Sequence, residues 1–128
     1  MTKKILAIDD EPGVTRLIKL NLEKTGAYEV LTVNEPGSAL AAAKQFKPDL
    51  ILLDVMMPNL DGGDVASQFE SDPEVKSVPI VFLTAIVTKK EAGPEGLRSS
   101  GKRFLAKPIS LEELVHAIEE ILNQRGPR

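Results

Sequence analysis

The sequence has no cysteine, no tryptophan, one tyrosine and one histidine in 128 residues. Without a thiol there is no disulfide framework, no cysteine-ligated metal centre and no cysteine nucleophile. A basic surplus is also missing: 16 Lys and Arg stand against 19 Asp and Glu, a net charge of −3. Direct nucleic-acid binding by this domain is therefore not expected, because that binding rests on neutralising phosphates. Long apolar runs are absent too. Ile5-Leu6-Ala7-Ile8 is only four residues long before Asp9, too short for a signal-peptide core, and nothing approaches the ~20 residues of a membrane span. The expected setting is a reducing cytoplasm, away from membranes. Aromatic residues make up 4% of the chain, and no G-x-G-x-x-G turn follows the first strand, which leaves a flavin or dinucleotide module without support.

Two hydrophobic periods alternate along the chain. Ile5–Ile8, Tyr28–Val33, Leu50–Leu53, Pro79–Leu83 and Arg103–Ala106 read as strands. Leu50-Ile51-Leu52-Leu53 is apolar on every side, the mark of a central parallel strand covered on both faces. Between the strands lie segments with helical spacing. Pro12 opens one that carries Val14, Leu17, Ile18 and Leu22 and stops at Gly26. Pro36 opens a second with Leu40, Ala43 and Phe46, and Asp61 is placed to cap a third with Val65, Ala66 and Phe69. A polar fourth segment, about 88 to 100, contains Gly93, Pro94 and Gly96 and is expected to be irregular. Ser110 and Glu113 form a capping box for the last, whose stripe is Leu111, Leu114, Val115, Ile118, Ile121 and Leu122. Parallel strands need right-handed crossovers, so the expected fold is α/β: a doubly wound three-layer sandwich of five parallel strands and five helices. The expected domain spans residues 1–124, with 125–128 a tail or truncated linker.

In such a sheet, ligands bind beyond the carboxyl ends of the strands. The first strand ends in Asp9-Asp10-Glu11, the third in Asp54, the fourth in Thr84 and the fifth in Lys107-Pro108. These ends share one edge, so three carboxylates converge with a threonine and a lysine beside them. Clustered carboxylates repel. A hard divalent cation relieves that repulsion, and magnesium is commonly held by one or two carboxylates plus phosphate oxygens. Lysine suits a phosphate oxygen as a mobile point charge. A carboxylate can also be the nucleophile. Asp54, alone at the end of the most buried strand, is the best placed for that, while the adjacent Asp9 and Asp10 suit metal.

The sequence resembles the receiver domain of two-component response regulators. The resemblance rests on Ile8-Asp9-Asp10-Glu11, on Asp49 to Pro58 with Asp61-Gly62, on Leu83-Thr84-Ala85 and on Lys107-Pro108-Ile109, and covers about residues 4 to 124. It implies a flavodoxin-like sheet in the order 2-1-3-4-5. It implies that Asp54 accepts a phosphoryl group from a phosphohistidine on a partner histidine kinase or phosphotransfer protein. Asp10 would bind Mg2+ directly, Asp9 largely through water, and the Met56 carbonyl and Asp54 would complete the protein ligands. Thr84, Ala85 and Lys107 would hold the phosphoryl oxygens, Phe104 would be the aromatic switch, and the peptide before Pro108 would be cis. The changed surface, formed by the fourth helix, fifth strand and fifth helix, would control an output domain or partner, and a phosphorylation-dependent homodimer is compatible with it. The chain would be a signalling domain rather than an enzyme, with only self-catalysed phosphotransfer and slow autodephosphorylation. The slow loss is expected because Met56 and Ile86, two residues beyond Asp54 and Thr84, are apolar and cannot orient an attacking water.

Simpler readings compete. Asp9 and Asp10 could merely end a strand and cap the helix at Pro12, and Phe104 could be plain core. His116 lies beside the last apolar stripe and is expected at the surface, not as a phosphodonor. A magnesium-dependent phosphohydrolase would also use an aspartate nucleophile, but Val55 and Met56 leave no second acid two residues after Asp54. A receiver-like interaction module that ignores phosphate is disfavoured by the intact set of Asp9, Asp10, Asp54, Thr84 and Lys107.

Overall fold

In the computed structural model, which describes residues 2–54, 62–84, 97–99, 102–106 and 110–125, Leu50–Asp54 lies in the interior of the sheet. The elements in chain order are β1 (Lys3–Ile8), α1 (Pro12–Lys24), β2 (Tyr28–Val33), α2 (Ala39–Phe46), β3 (Leu50–Asp54), α3 (Gly62–Ser71), β4 (Ile80–Thr84), β5 (Leu97–Ser99), β6 (Lys102–Ala106) and α4 (Leu111–Arg125). The sheet order is β2-β1-β3-β4-β6-β5. Strands β2, β1, β3, β4 and β6 run parallel, with Ile8 opposite both Val33 and Leu53, and Asp54 opposite Leu83.

Alternating side chains divide the core between two faces, as the pleat requires. Ile5, Ala7, Leu50, Leu52, Val81, Leu83 and Leu105 meet Ile18 and Leu22 of α1 and Leu114, Ala117 and Ile118 of α4. Leu6, Ile8, Ile51, Leu53 and Phe82 meet Ala39 and Ala43 of α2, Val65, Ala66 and Phe69 of α3, and Val75. Each fully buried Leu, Ile or Phe contributes roughly 1.5–3 kcal/mol. The result is the expected doubly wound three-layer α/β fold. No described helix is long and apolar enough to cross a membrane.

Three local details differ from the sequence reading. The sheet is not purely five-stranded and parallel. Leu97–Ser99, at the end of the segment expected as a fourth helix, forms an antiparallel edge strand on β6, with Ser99 opposite Lys102. Gly93, Pro94 and Gly96, just before these residues in sequence, disfavour a helix that would run on into them. Residues 88 to 96 of that segment lie outside the described residues. The second difference is at Pro36, which opens a 3-10 turn, Pro36–Ser38, before α2 starts at Ala39. The third is in α1, where Leu17 is 58% exposed. The core-facing stripe there is Ile18 and Leu22 with the partly buried Val14, and Leu17 is turned about 100° away from Ile18.

The helix ends follow local chemistry. Pro12 sits in the first turn of α1, and Gly26 takes φ +80 after it, a conformation that glycine adopts at little cost. At the start of α4, the Ser110 hydroxyl donates to Glu113 Oε1 at 3.0 Å and accepts from the Glu113 amide at 3.1 Å, so the capping box forms.

Strand β2 is one margin of the sheet. The Val30 amide donates to Glu23 Oε2 at 3.0 Å, and the Val30 carbonyl accepts from Lys19 Nζ at 2.8 Å. Lys19 and Glu23 are themselves joined at 2.9 Å, one turn apart on α1. The bond from the Val30 amide, with Lys19 beside it, holds the Glu23 carboxyl below its ordinary range.

Candidate functional site

Strand β1 enters the sheet between β2 and β3, and its carboxyl end delivers Asp9 and Asp10 beside the end of β3, which delivers Asp54. One carboxylate oxygen from each of the three lies within 4.8 Å of the other two. Asp9 is 0% exposed and Asp54 3%, while Asp10 is half-buried. Among the described residues, the buried polar or charged side chains are Asp9, Thr15 and Asp54. Carboxylates gathered at such range repel one another, and a bound cation would relieve that repulsion. The donors are all oxygens, the ligand chemistry of a hard divalent cation rather than of a soft metal. The three residues therefore fit Mg2+.

The simpler reading of Asp9 and Asp10, as caps for α1, is not what the helix start displays. The cap position is Glu11, which makes no side-chain cap bond. Asp9 Oδ1 instead accepts the Glu11 amide at 3.0 Å, which turns the chain out of β1 and into α1.

Thr84 ends β4 opposite Ala106, and Phe104 lies in β6 opposite Phe82, so both backbones are at the expected positions in the sheet. Met56, Ala85, Ile86, Lys107 and Pro108 lie outside the described residues, as does the cap expected at Asp61. His116 is on the outer side of α4, 57% exposed at its side chain, with Nε2 3.3 Å from Glu120 Oε2, and is remote from the acidic cluster in sequence and element.

Two residues that the sequence does not single out adjoin the cluster. Asn34, the first residue after β2, donates from Nδ2 to the Asp9 carbonyl at 2.8 Å and to Thr15 Oγ1 at 2.9 Å. The Thr15 hydroxyl in turn donates to the Pro12 carbonyl at 3.2 Å. The only sequence signal is positional: a polar residue directly follows the strand that pairs with the acid-bearing strand.

Comparison with known proteins gives a consistent picture. Residues 5–119 match the family model of the response regulator receiver domain. The chain is 39% identical over 126 residues to the alkaline phosphatase synthesis transcriptional regulatory protein PhoP of Bacillus subtilis, covering 97% of this chain and 50% of that protein. It is 36% identical over 121 residues to Protein PilH of Pseudomonas aeruginosa, covering 93% of this chain and 97% of that protein. The chain thus spans about half the length of the first curated relatives it matches, PilH being matched over nearly all of its length. Among solved structures, the Vibrio cholerae chemotaxis protein CheY4 superposes with a TM-score of 0.80 at 27% identity, over 94% of this chain and 99% of that one.

Proposed function

The chain belongs to the response regulator receiver domain family, and from that premise we propose that it is a phosphorylation-activated signalling switch whose phosphoacceptor is Asp54. The observation that carries this reading is the meeting of Asp9, Asp10 and Asp54 at the ends of two adjacent parallel strands, with oxygens within 4.8 Å. A carboxylate of Asp54 attacks the phosphorus of a phosphohistidine on a partner kinase or phosphotransfer protein. The P–N bond breaks, a P–O bond forms, and the imidazole leaves. Asp9, Asp10 and Asp54, with the Met56 carbonyl, would hold Mg2+. The ion, when bound, supplies positive charge that offsets the carboxylates and the phosphoryl oxygens.

The remaining roles follow the family pattern. Thr84, the Ala85 amide and Lys107 hold the phosphoryl oxygens, and Phe104 responds to the movement of Thr84. Phosphorylation adds charge and strong acceptors at Asp54. It shifts the population toward the conformation in which Thr84 and Lys107 engage them. The output, whether a linked domain or a separate protein, reads the altered surface of α4, β6 and the segment before β5. A cytoplasmic setting and the absence of turnover on small substrates belong to the same reading.

The test is incubation with Mg2+ and acetyl phosphate, followed by intact-mass measurement. The wild-type chain is expected to gain one phosphoryl group, and Asp54→Asn and EDTA-treated samples none. Equal labelling of Asp54→Asn would remove Asp54 from its role. Rapid turnover of small phosphate esters would favour the phosphohydrolase reading instead.

A further inference from the structure

We propose that Asn34, braced by Thr15, is a positioning residue that sets the acidic turn Asp9-Asp10 for divalent-cation binding, an inference that rests on the reading of that cluster as a Mg2+ site. The argument begins with the parallel ladder. Ile8 is opposite Val33, and the Asp9 amide donates to the Val33 carbonyl at 3.1 Å. The next rung of a parallel ladder would join the Asp9 carbonyl to the amide two residues beyond Val33, that of Glu35. The structure instead fills the position with a side chain: Asn34 Nδ2 donates to the Asp9 carbonyl at 2.8 Å.

This substitution lets β2 end while β1 continues for one more residue as if still in the sheet. Both backbone polar groups of Asp9 are thereby tied to β2, and its Oδ1 accepts the Glu11 amide. The peptide leading to Asp10 therefore leaves a backbone fixed at two points, and the Asp9 side chain is tied to the start of α1.

Thr15 completes the brace. An amide NH2 has two hydrogens, and the second of Asn34 goes to Thr15 Oγ1 at 2.9 Å. The single Thr15 proton goes to the Pro12 carbonyl at 3.2 Å. Each donor in the chain Asn34–Thr15–Pro12 is therefore used. Thr15 is 2% exposed, and a buried hydroxyl on the core side of α1 would be a liability without these partners. The brace links the ends of β1 and β2 to the first turn of α1, and it holds Asp9 by its main-chain carbonyl rather than by its carboxylate. Partners of this kind orient ligands and tune metal affinity without touching the ion.

The test uses the full chain as wild type, Asn34→Ala, Thr15→Val and Thr15→Ser, titrated with MgCl2 in a calorimeter. The unfolding temperature of each metal-free protein is measured alongside. Asn34→Ala is expected to bind Mg2+ about tenfold more weakly, the lower end for residues that orient metal ligands. Thr15→Val is expected to weaken binding to a smaller degree, and Thr15→Ser, which keeps the hydroxyl, to restore it. Thr15→Val also keeps the inference testable if Asn34→Ala fails to fold. Unchanged Mg2+ affinity in folded Asn34→Ala and Thr15→Val, even with lowered unfolding temperatures, would make the brace merely structural and overturn the inference. Loss of binding in Thr15→Ser equal to that in Thr15→Val would overturn the part assigned to the hydroxyl. If the wild type itself binds no Mg2+, the reading of the cluster falls, and the positioning role with it.

Discussion

The Tyr28 hydroxyl donates to Glu119 Oε2 at 2.6 Å, joining the first residue of β2 to α4 across 91 positions of sequence. Tyr28 is 5% exposed. Burial, and after it the bond to Glu119, pushes its phenol well above the usual value of 10.0. The protonated form is thus favoured by folding. Stability from this pair is complete below about pH 10 and is lost as the pH rises above that, because the unfolded chain gives up the proton first. Tyr28→Phe removes one hydrogen bond and is expected to cost about 0.5–1.5 kcal/mol at neutral pH. It should also flatten the alkaline fall in stability, which urea melts between pH 8 and 11 would measure. Equal alkaline slopes in the two proteins would place the pH dependence elsewhere.

Magnesium should stabilise the folded chain through Asp9, Asp10 and Asp54. Ligand at a hundredfold excess over its dissociation constant adds about 2.7 kcal/mol. Thermal melts with MgCl2 and with EDTA should therefore separate by several degrees for the wild type. Asp54→Asn and Asp10→Asn should lose most of that separation. Its persistence in both variants would mean that the ion binds elsewhere.

Leu52 and Leu20 provide a contrast within one residue type. Leu52 is 0% exposed in the interior strand, and Leu20 is 62% exposed on α1. Leu52→Ala should cost about 2–5 kcal/mol through lost burial and a residual cavity. Leu20→Ala should stay within roughly 0.5 kcal/mol of wild type. Denaturant melts would read both. A cost at position 20 similar to that at 52 would show that the α1 surface is covered in solution.

The capping box at α4 offers a smaller effect. Ser110→Ala removes the acceptor of the Glu113 amide and should cost about 0.5–2 kcal/mol. Ser110→Asp should retain most of the stability, since a carboxylate also caps and suits the positive helix end.

Autodephosphorylation should be slow in purified protein with Mg2+, because the side chains of Met56 and Ile86 offer no hydrogen bond to an attacking water. Met56→Asn should speed the loss of the phosphoryl group from Asp54, followed by intact mass over time. Loss within seconds from the wild type would contradict the argument.

Much of this molecule was legible in its residues because burial and chemistry point the same way. Leu50-Ile51-Leu52-Leu53 has no polar side to offer water, so an interior position follows, and the acids after it fall where a parallel sheet gathers its strand ends. The rest depended on tertiary register. Leu97-Arg98-Ser99 has neither a helical nor a strand period, and the glycines and proline before it signal only a break. Whether Leu17 or Ile18 faces the core is decided by the roll of α1, which residue spacing leaves open by one position. The bond from Asn34 to Asp9 exists only because Ile8 is opposite Val33; shifting that register by one would dissolve it.

The pairing of Lys19 and Glu23 with Val30 has a consequence for how copies of this chain meet. Residues 27 and 33 direct carbonyls toward β1, so Tyr28, Val30 and Thr32 are the residues whose main chain faces away from the sheet. The middle one has both of its polar groups occupied by side chains from α1. An incoming strand would have to displace a lysine and a carboxylate before it could pair, and charges at a margin are a common guard against such pairing. Growth of the sheet on this side is opposed at Val30, so crowding of the chain at high concentration should not readily propagate into fibrils through β2.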